Sequence, residues 1–461
     1  MTLKSEFNST SGYGLVNAAV AVASATGQAT FADVPDLGGN SWGNDLVKAP
    51  EAWAKGSTGK GIVVAVIDSG VDIEHEDLKD NIWQNPREIP GNGIDDDGNG
   101  KVDDINGWNF GIRTNAKGDN DVRPGTTDPG QAHGTHVAGT IAAANNNLGI
   151  SGVAYNAKIM PIRLGDIKTD PTTRQALFSN SGSLSDAIRY ATDMGANVIN
   201  MSLGGAQGYP ALQEAIAYAA SKNVVVVSAA GNSKGTSPEF PAVYAKQSGI
   251  AVGAVDIDRR VADFSNLAGD DNNMAYVVAP GVKVYSTLPN NNYNFDNGTS
   301  MAAPHVAGVA ALMLSANPNL NPQQVRQILT DSATALSNNV LVAAPPPLLL
   351  LLPLPPEPPR PQVPLPLPVR PTPQDPTPTP TPTPTPVTPT PTPTPVTPTP
   401  TPTPVTPTPT PTPVTPTPTP TPILRTAIIT TPQPNATGNG NPTGLPQNLS
   451  GPGFYFLGMK I

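Results

Sequence analysis

The chain has 461 residues and a formal net charge of -9 at pH 7. That balance argues against binding along a phosphate backbone, which needs clustered Lys and Arg to displace counterions. It contains no cysteine, so disulfides, thiolate metal ligands and a cysteine nucleophile are excluded. No stretch approaches the ~20 apolar residues that span a bilayer; the best is five leucines, residues 348 to 352, flanked by prolines.

Residues 1–40 are expected to be a leader or propeptide remnant. Within them, residues 15 to 25 are mildly apolar and end in small side chains, the pattern of one helix or of a weak export signal. The preceding residues are mostly polar, and Lys4 is offset by Glu6, so the signal reading is poor.

A change comes at Gly61. Ile62-Val63-Val64-Ala65-Val66-Ile67 is an unbroken apolar run rich in β-branched residues, the pattern of a strand buried on both faces of a parallel sheet. Similar runs recur at residues 198–201, 224–227 and 250–255, with helix-period segments at 183–194 and 210–221. Alternating buried strands and helices predict an α/β fold, an open and mainly parallel sheet with helices on both faces, over residues 41–340. Such sheets carry function in the loops at the carboxyl ends of their strands. Here Asp68 follows the first run, Ser202 to Gly205 follow the second, and Gly231-Asn232 follow the third.

Length alone allows two or three domains, but most of the 57 prolines lie after Ala344, and the part before it suits one core of roughly 300 residues. Residues 341–422 are Pro-rich, with valines 387, 396, 405 and 414 marking a nine-residue Pro-Thr repeat. Alternate prolines remove backbone donors and fix φ, so a disordered, polyproline II-like linker is expected. The C-terminal tail, residues 423–461, has little pattern beyond Gly453-Phe454-Tyr455-Phe456-Leu457, which reads as a short strand or a docking tail.

Hydrolysing an amide with a serine hydroxyl requires a base, a group that orients it, and donors for the oxyanion. Candidates stand in three strings. Asp68 lies in Val66-Ile67-Asp68-Ser69-Gly70, His133 in His133-Gly134-Thr135-His136-Val137-Ala138-Gly139-Thr140, and Ser300 in Gly298-Thr299-Ser300-Met301-Ala302-Ala303-Pro304. The strings and their order resemble the subtilisin-like serine proteases (subtilases, peptidase family S8), closest to calcium-dependent bacterial members, over residues 42 to 336.

The resemblance implies a serine endopeptidase. Ser300 is then the nucleophile, at the start of a helix whose Ala302, Ala303, Ala307 and Gly308 permit close packing. His133 is the base and later the acid, Asp68 holds its tautomer, and Asn232 is the oxyanion-hole amide beside the Ser300 N–H. Losing that amide should cost about 3 kcal/mol, the magnitude known for subtilisin itself. The other histidines, His75, His136 and His305, read as structural, while His133 is expected to open its helix.

Ser202-Leu203-Gly204-Gly205 resembles the segment on which these enzymes hold substrate by strand addition. Glu239, before Phe240-Pro241, matches the residue at the base of the P1 pocket, where a carboxylate favours Arg or Lys. The short loop 233–238 leaves open a solvent-facing Glu239.

Asp95, Asp97, Asn99 and Gly100 reproduce the first, third, fifth and sixth places of an EF-hand-like loop. Place twelve is Asn106 instead of Glu, so Asp103 or Asp104 is expected to complete a structural Ca2+ shell. By resemblance, Asp77 and Asn146 belong to a second calcium site, with the carbonyls of Ala144, Leu148 and Ile150. Protein or peptide substrates, a monomer, and an extracellular or cell-envelope location follow from the resemblance and the stalk-like repeat. The alternatives are an inactive binding module of the same fold, or a wall-associated stalk protein. Residues 1–40 are short for a subtilase propeptide. Within them Gly12-Tyr13-Gly14-Leu15-Val16-Asn17-Ala18-Ala19 resembles the tail that closes subtilase domains elsewhere.

Overall fold

The computed structural model describes residues 6–111, 118–125, 129–169, 176–179, 183–336 and 455–456. The Pro-rich linker expected over 341–422 lies outside them. The chain divides into two units, one of residues 1–342 with 447–461 and one of residues 343–446.

Helices α1 (Ala18–Ala25), α2 (Trp42–Leu46) and α3 (Ala49–Trp53) precede β1 (Val63–Asp68) and β2 (Trp108–Asn109). Then come α4 (His133–Ala142), β3 (Lys158–Arg163), β4 (Asp166–Thr169), β5 (Ala176–Ser179), α5 (Leu184–Asp193), β6 (Val198–Met201) and β7 (Leu203–Gly204). The remainder is α6 (Pro210–Ser221), β8 (Val225–Ala229), β9 (Ile250–Val255), β10 (Tyr276–Pro280), β11 (Val284–Leu288), β12 (Asn292–Asp296), α7 (Thr299–Ala316), α8 (Pro322–Ser332) and β13 (Tyr455–Phe456).

Seven strands form one sheet in the order β10-β9-β8-β6-β1-β3-β2, and every pairing in it is parallel. The order reverses at β1: the chain goes from β1 to the edge strand β2, comes back through β3, and then crosses to β6 and on to the other edge. In such a sheet the crevice beside the switch strand, at the carboxyl ends, is where function collects. The apolar runs of the sequence become β1, β6, β8 and β9. Strand β3 gave no such run, because Pro161 and the charged Lys158 and Arg163 interrupt its composition.

One face of the sheet buries α1, α4 and α7, and the other buries α5 and α6. Ser183 caps α5 by accepting the Asp186 N–H, and Asn321 with Gln324 closes a capping box on α8. Helix α7 is long and apolar enough to cross a membrane, but 89% of it is buried inside the protein. That burial explains its run of small residues: a valine neighbour, Val153, leaves no room for a Cβ at Gly308, which would meet it at 2.5 Å.

Residues 11–25, within the stretch expected as a leader, are packed into the domain. Seven of the eight residues of α1 are buried, against α7 and α8. Leu15 bridges Val278 of β10 on one side and Thr334 on the other. Gly14, at φ +106°, lets the backbone pass where a Cβ would stand 2.3 Å from the Thr334 carbonyl oxygen.

Candidate active site

Asp68 is the last residue of β1 and His133 the first of α4, so a strand end and a helix start face each other at the switch point. The His133 Nδ1 lies 2.9 Å from Asp68 Oδ1 and 3.0 Å from Oδ2, with both side chains buried. The approach depends on Gly134: a Cβ there would stand 2.3 Å from the Gly70 carbonyl oxygen and 3.0 Å from Asp68 Oδ1. Ser69 ties the two elements, donating its hydroxyl to the Gln131 carbonyl and accepting the Gly134 N–H, each at 3.0 Å. Its own N–H donates to Asp68 Oδ1 at 2.7 Å. Ser69 was not singled out from sequence, since a serine after the aspartate has no signature apart from its place.

Ser300 is the second residue of α7 and is fully buried. Its hydroxyl donates to the Ser202 carbonyl at 2.9 Å, and the Ser202 hydroxyl donates back to the Ser300 carbonyl at 2.8 Å. The Ser202 side chain, expected along the substrate strand, therefore lies beneath Ser300, where Asn200 also donates to it at 3.0 Å. Leu203 and Gly204 form β7, and Gly205 exchanges backbone hydrogen bonds with Phe240.

Asn232 has a committed orientation. Its carboxamide oxygen accepts the Thr299 N–H and the Thr299 hydroxyl, both at 2.9 Å, which leaves its NH2 as the end turned away from α7. Thr299 Oγ1 also accepts the Gly231 N–H at 3.2 Å. Thr299 is thus a positioning residue that sequence reasoning missed, although it sits inside the Ser300 string.

The three other histidines are held by backbone. His305 Nδ1 is 2.8 Å from the Met301 carbonyl oxygen, and complete burial pushes its pKa down to about 4. Burial also lowers His136, whose Nε2 lies 3.1 Å from the Val284 carbonyl oxygen. His75 meets the Asn292 carbonyl oxygen through Nε2 and accepts the Asp77 N–H at Nδ1.

Glu239 is half-buried and turned back on the loop. It accepts the Ser233 hydroxyl at 2.7 Å and the Asn266 NH2 at 3.3 Å. A Cβ on Gly231 would stand 3.0 Å from its carboxyl carbon, so the carboxylate lies beside the residue that precedes Asn232.

In the acidic loop the carboxylates that converge are Asp95, Asp97 and Glu88, with oxygens within 4.8 Å of one another. The third member is Glu88, outside the repeat pattern. Asp103 accepts the N–H groups of Gly91, Asn92 and Gly93. Asp104 is buried, accepting from Tyr190, Asn85 and Asn99, and its burial raises its pKa. Asn99 is spent on the loop itself, donating its N–H to Asp95 and Asp97. Arg87 pairs with Asp97 at 3.1 Å. One buried Glu88 oxygen, Oε2, has no hydrogen-bond partner, and neither has Asp77 Oδ1. Asp77 is brought beside Asn146 and accepts the Ile150 N–H at 3.1 Å through its other oxygen; burial raises its pKa.

The pairing of Asp68 with His133 at the carboxyl end of a parallel α/β sheet fits the subtilisin-like class of serine peptidases. Residues 59–344 match the Subtilase family. The chain is 38% identical over 302 residues to "Subtilisin DY" of Bacillus licheniformis, covering 65% of this chain and 93% of that protein. It is 39% identical over 304 residues to "M-protease" of Shouchella clausii (strain KSM-K16), covering 65% and 66%. Against "Subtilisin E" of Bacillus subtilis (strain 168) it is 39% identical over 308 residues, covering 65% and 67%. The chain belongs to the subtilase family and is a serine endopeptidase.

Proposed function

We propose that Asp68, His133 and Ser300 form the catalytic triad of this endopeptidase, with Asn232 as the oxyanion donor, and that the enzyme is calcium-stabilised and exported. The carrying observation is the His133 ring nitrogen held between both oxygens of the Asp68 carboxylate. Donating Nδ1–H to Asp68 fixes the tautomer that presents a basic Nε2. The Ser300 hydroxyl, resting on the Ser202 carbonyl, turns to give its proton to that nitrogen as its oxygen attacks the peptide carbonyl. The oxyanion of the tetrahedral intermediate is met by the Asn232 NH2 and the Ser300 N–H. His133 then protonates the leaving amine, leaving an acyl-enzyme, and a water deprotonated by His133 releases the acid. The substrate backbone adds as a strand along Ser202, Leu203, Gly204 and Gly205. Labelling with a fluorophosphonate tests the triad: stoichiometric modification of Ser300, lost in Ser300→Ala and His133→Ala, is the expected result, and absence of labelling in the folded native chain defeats it.

The acidic loop suits Ca2+, because hard oxygen ligands converge around a buried carboxylate oxygen that lacks a donor. Glu88, Asp95 and Asp97 would hold the ion; Asp77 and Asn146, with a second orphaned oxygen, would hold another. Bound to the folded state alone, the ions supply stability. At the P1 pocket, Glu239 beside Gly231 supports a preference for Arg or Lys. Higher kcat/KM on Arg than on Phe peptides is expected, and equal or better turnover of Phe refutes it. Export to the medium or cell envelope rests on the family; detection of the protein only in the cytosolic fraction would refute it.

A further inference from the structure

Residues 455–456 lie beside β7. Strand β13, Tyr455–Phe456, pairs antiparallel with β7, Tyr455 opposite Gly204 and Phe456 opposite Leu203. On its other edge Tyr455 stands opposite Leu177 of β5, so β13 is the inner strand of a four-stranded sheet in the order β4-β5-β13-β7. Its polarity is informative. Moving forward along β13 runs from Gly204 to Leu203, toward Ser202, whose carbonyl receives the Ser300 hydroxyl.

A two-residue strand has no reason to seek β7 on backbone propensity alone, since every sheet edge offers the same N–H and C=O groups. What distinguishes this place is a slot open between two strands, in which an extended chain is paired on both sides. The segment Gly453-Phe454-Tyr455-Phe456-Leu457-Gly458 carries no charge and no proline, unlike the repeats before it, so it can enter such a slot. The intervening residues 343–446 are long enough to reach any point on a domain of this size, at up to ~3.3 Å each.

We propose that the C-terminal segment centred on Tyr455 and Phe456 is a tethered occupant of this chain's own peptide cleft and competes there with substrate. The proposal rests on the peptidase reading, in which β7 is the substrate-binding strand. A tethered competitor is present at a fixed effective concentration whatever the dilution, so it raises KM and leaves kcat untouched.

The test uses the full chain and its Tyr455→Pro/Phe456→Pro variant, in which both ladder N–H groups are removed. Active concentration is set by Ser300 titration, which also excludes misfolded protein from the comparison. On a short chromogenic peptide the variant should show a KM lower by about 3- to 10-fold at unchanged kcat. A free peptide of the sequence of residues 451–461 should then raise the variant's KM competitively. A variant KM within twofold of the wild type, or a free peptide that does not compete, overturns the proposal. Hydrogen exchange over residues 202–205, compared between Ser300→Ala and Ser300→Ala/Tyr455→Pro/Phe456→Pro, reads docking without turnover. Faster exchange in the second supports docking, and equal exchange refutes it. Should no form turn over peptide, the peptidase reading fails while exchange still judges the docking.

Discussion

The corner that holds Asp68, His133 and Ser300 and the acidic loop of residues 88 to 104 both gather polar and charged side chains, but they are held in different ways. At the corner every participant stands on the end of a buried element: Asp68 on β1, His133 on α4, Ser300 on α7. Packing of the apolar faces fixes those ends, and Ser69, Ser202 and Thr299 only trim the final geometry. In the acidic loop no regular element fixes the carboxylates. They are arranged by backbone N–H groups of the loop, with Asp103 gathering three and Asp95 and Asp97 sharing that of Asn99. A site built on the core keeps its shape without ligand, whereas a site built from like charges draws part of its stability from what it binds.

The largest effect should come from breaking the corner chemically while leaving its frame. Ser300→Ala should lower kcat on a peptide substrate by about 10^6-fold, as in subtilisin itself, with little change in melting temperature. Asn232→Ala should cost about 10^2- to 10^3-fold in kcat with KM nearly constant. Thr299→Ala, which removes the hydroxyl donor to Asn232 and keeps the backbone N–H, should cost about fivefold, as expected for one hydrogen bond of roughly 1 kcal/mol. A Thr299→Ala loss equal to that of Asn232→Ala would show that orientation alone makes the donor.

The core beneath the corner should be acid-sensitive. His305 has a folded pKa of about 4 against an ordinary 6.5, so it is neutral in the folded chain and takes up a proton on unfolding below 6.5. Its contribution is fully present above pH 6.5 and is lost as pH falls from there through 4, by about 3 kcal/mol in all. His305→Gln should flatten that part of the stability curve, measured by urea unfolding at successive pH values; an unchanged slope would count against the assignment.

The acidic loop should respond to chelation instead. At calcium about 100-fold above its Kd, removal should cost about 2.7 kcal/mol and lower the melting temperature by about 5 °C. Glu88→Gln should shrink the difference between the chelated and calcium-loaded melts. If excess chelator leaves the melt unchanged, the loop is a solvated turn and the contrast between the two regions weakens.

How much of this was legible in sequence follows from the same contrast. Runs of β-branched residues mark strands buried on both faces, and the polar residue that ends such a run marks the loop where a crevice can form, which is why Asp68 and Asn232 stood out. His133 was legible through its motif's resemblance to the subtilases and because it opens its helix, with His136 one turn inside. The acidic repeat was visible through its alternate oxygens, but the pattern counts only neighbours in sequence and so did not include Glu88.

By itself, then, the sequence determined the α/β sheet, which is written in local composition and period, and its resemblance to the subtilases pointed to the three catalytic candidates. Only the tertiary structure decided that α1 belongs to the core, that Thr299 aims Asn232, that Glu88 joins Asp95 and Asp97, and that Tyr455 and Phe456 lie along β7. Each of these brings residues together across a chain reversal or a long separation, and a contact made by folding leaves no period in the chain for a local reading to find.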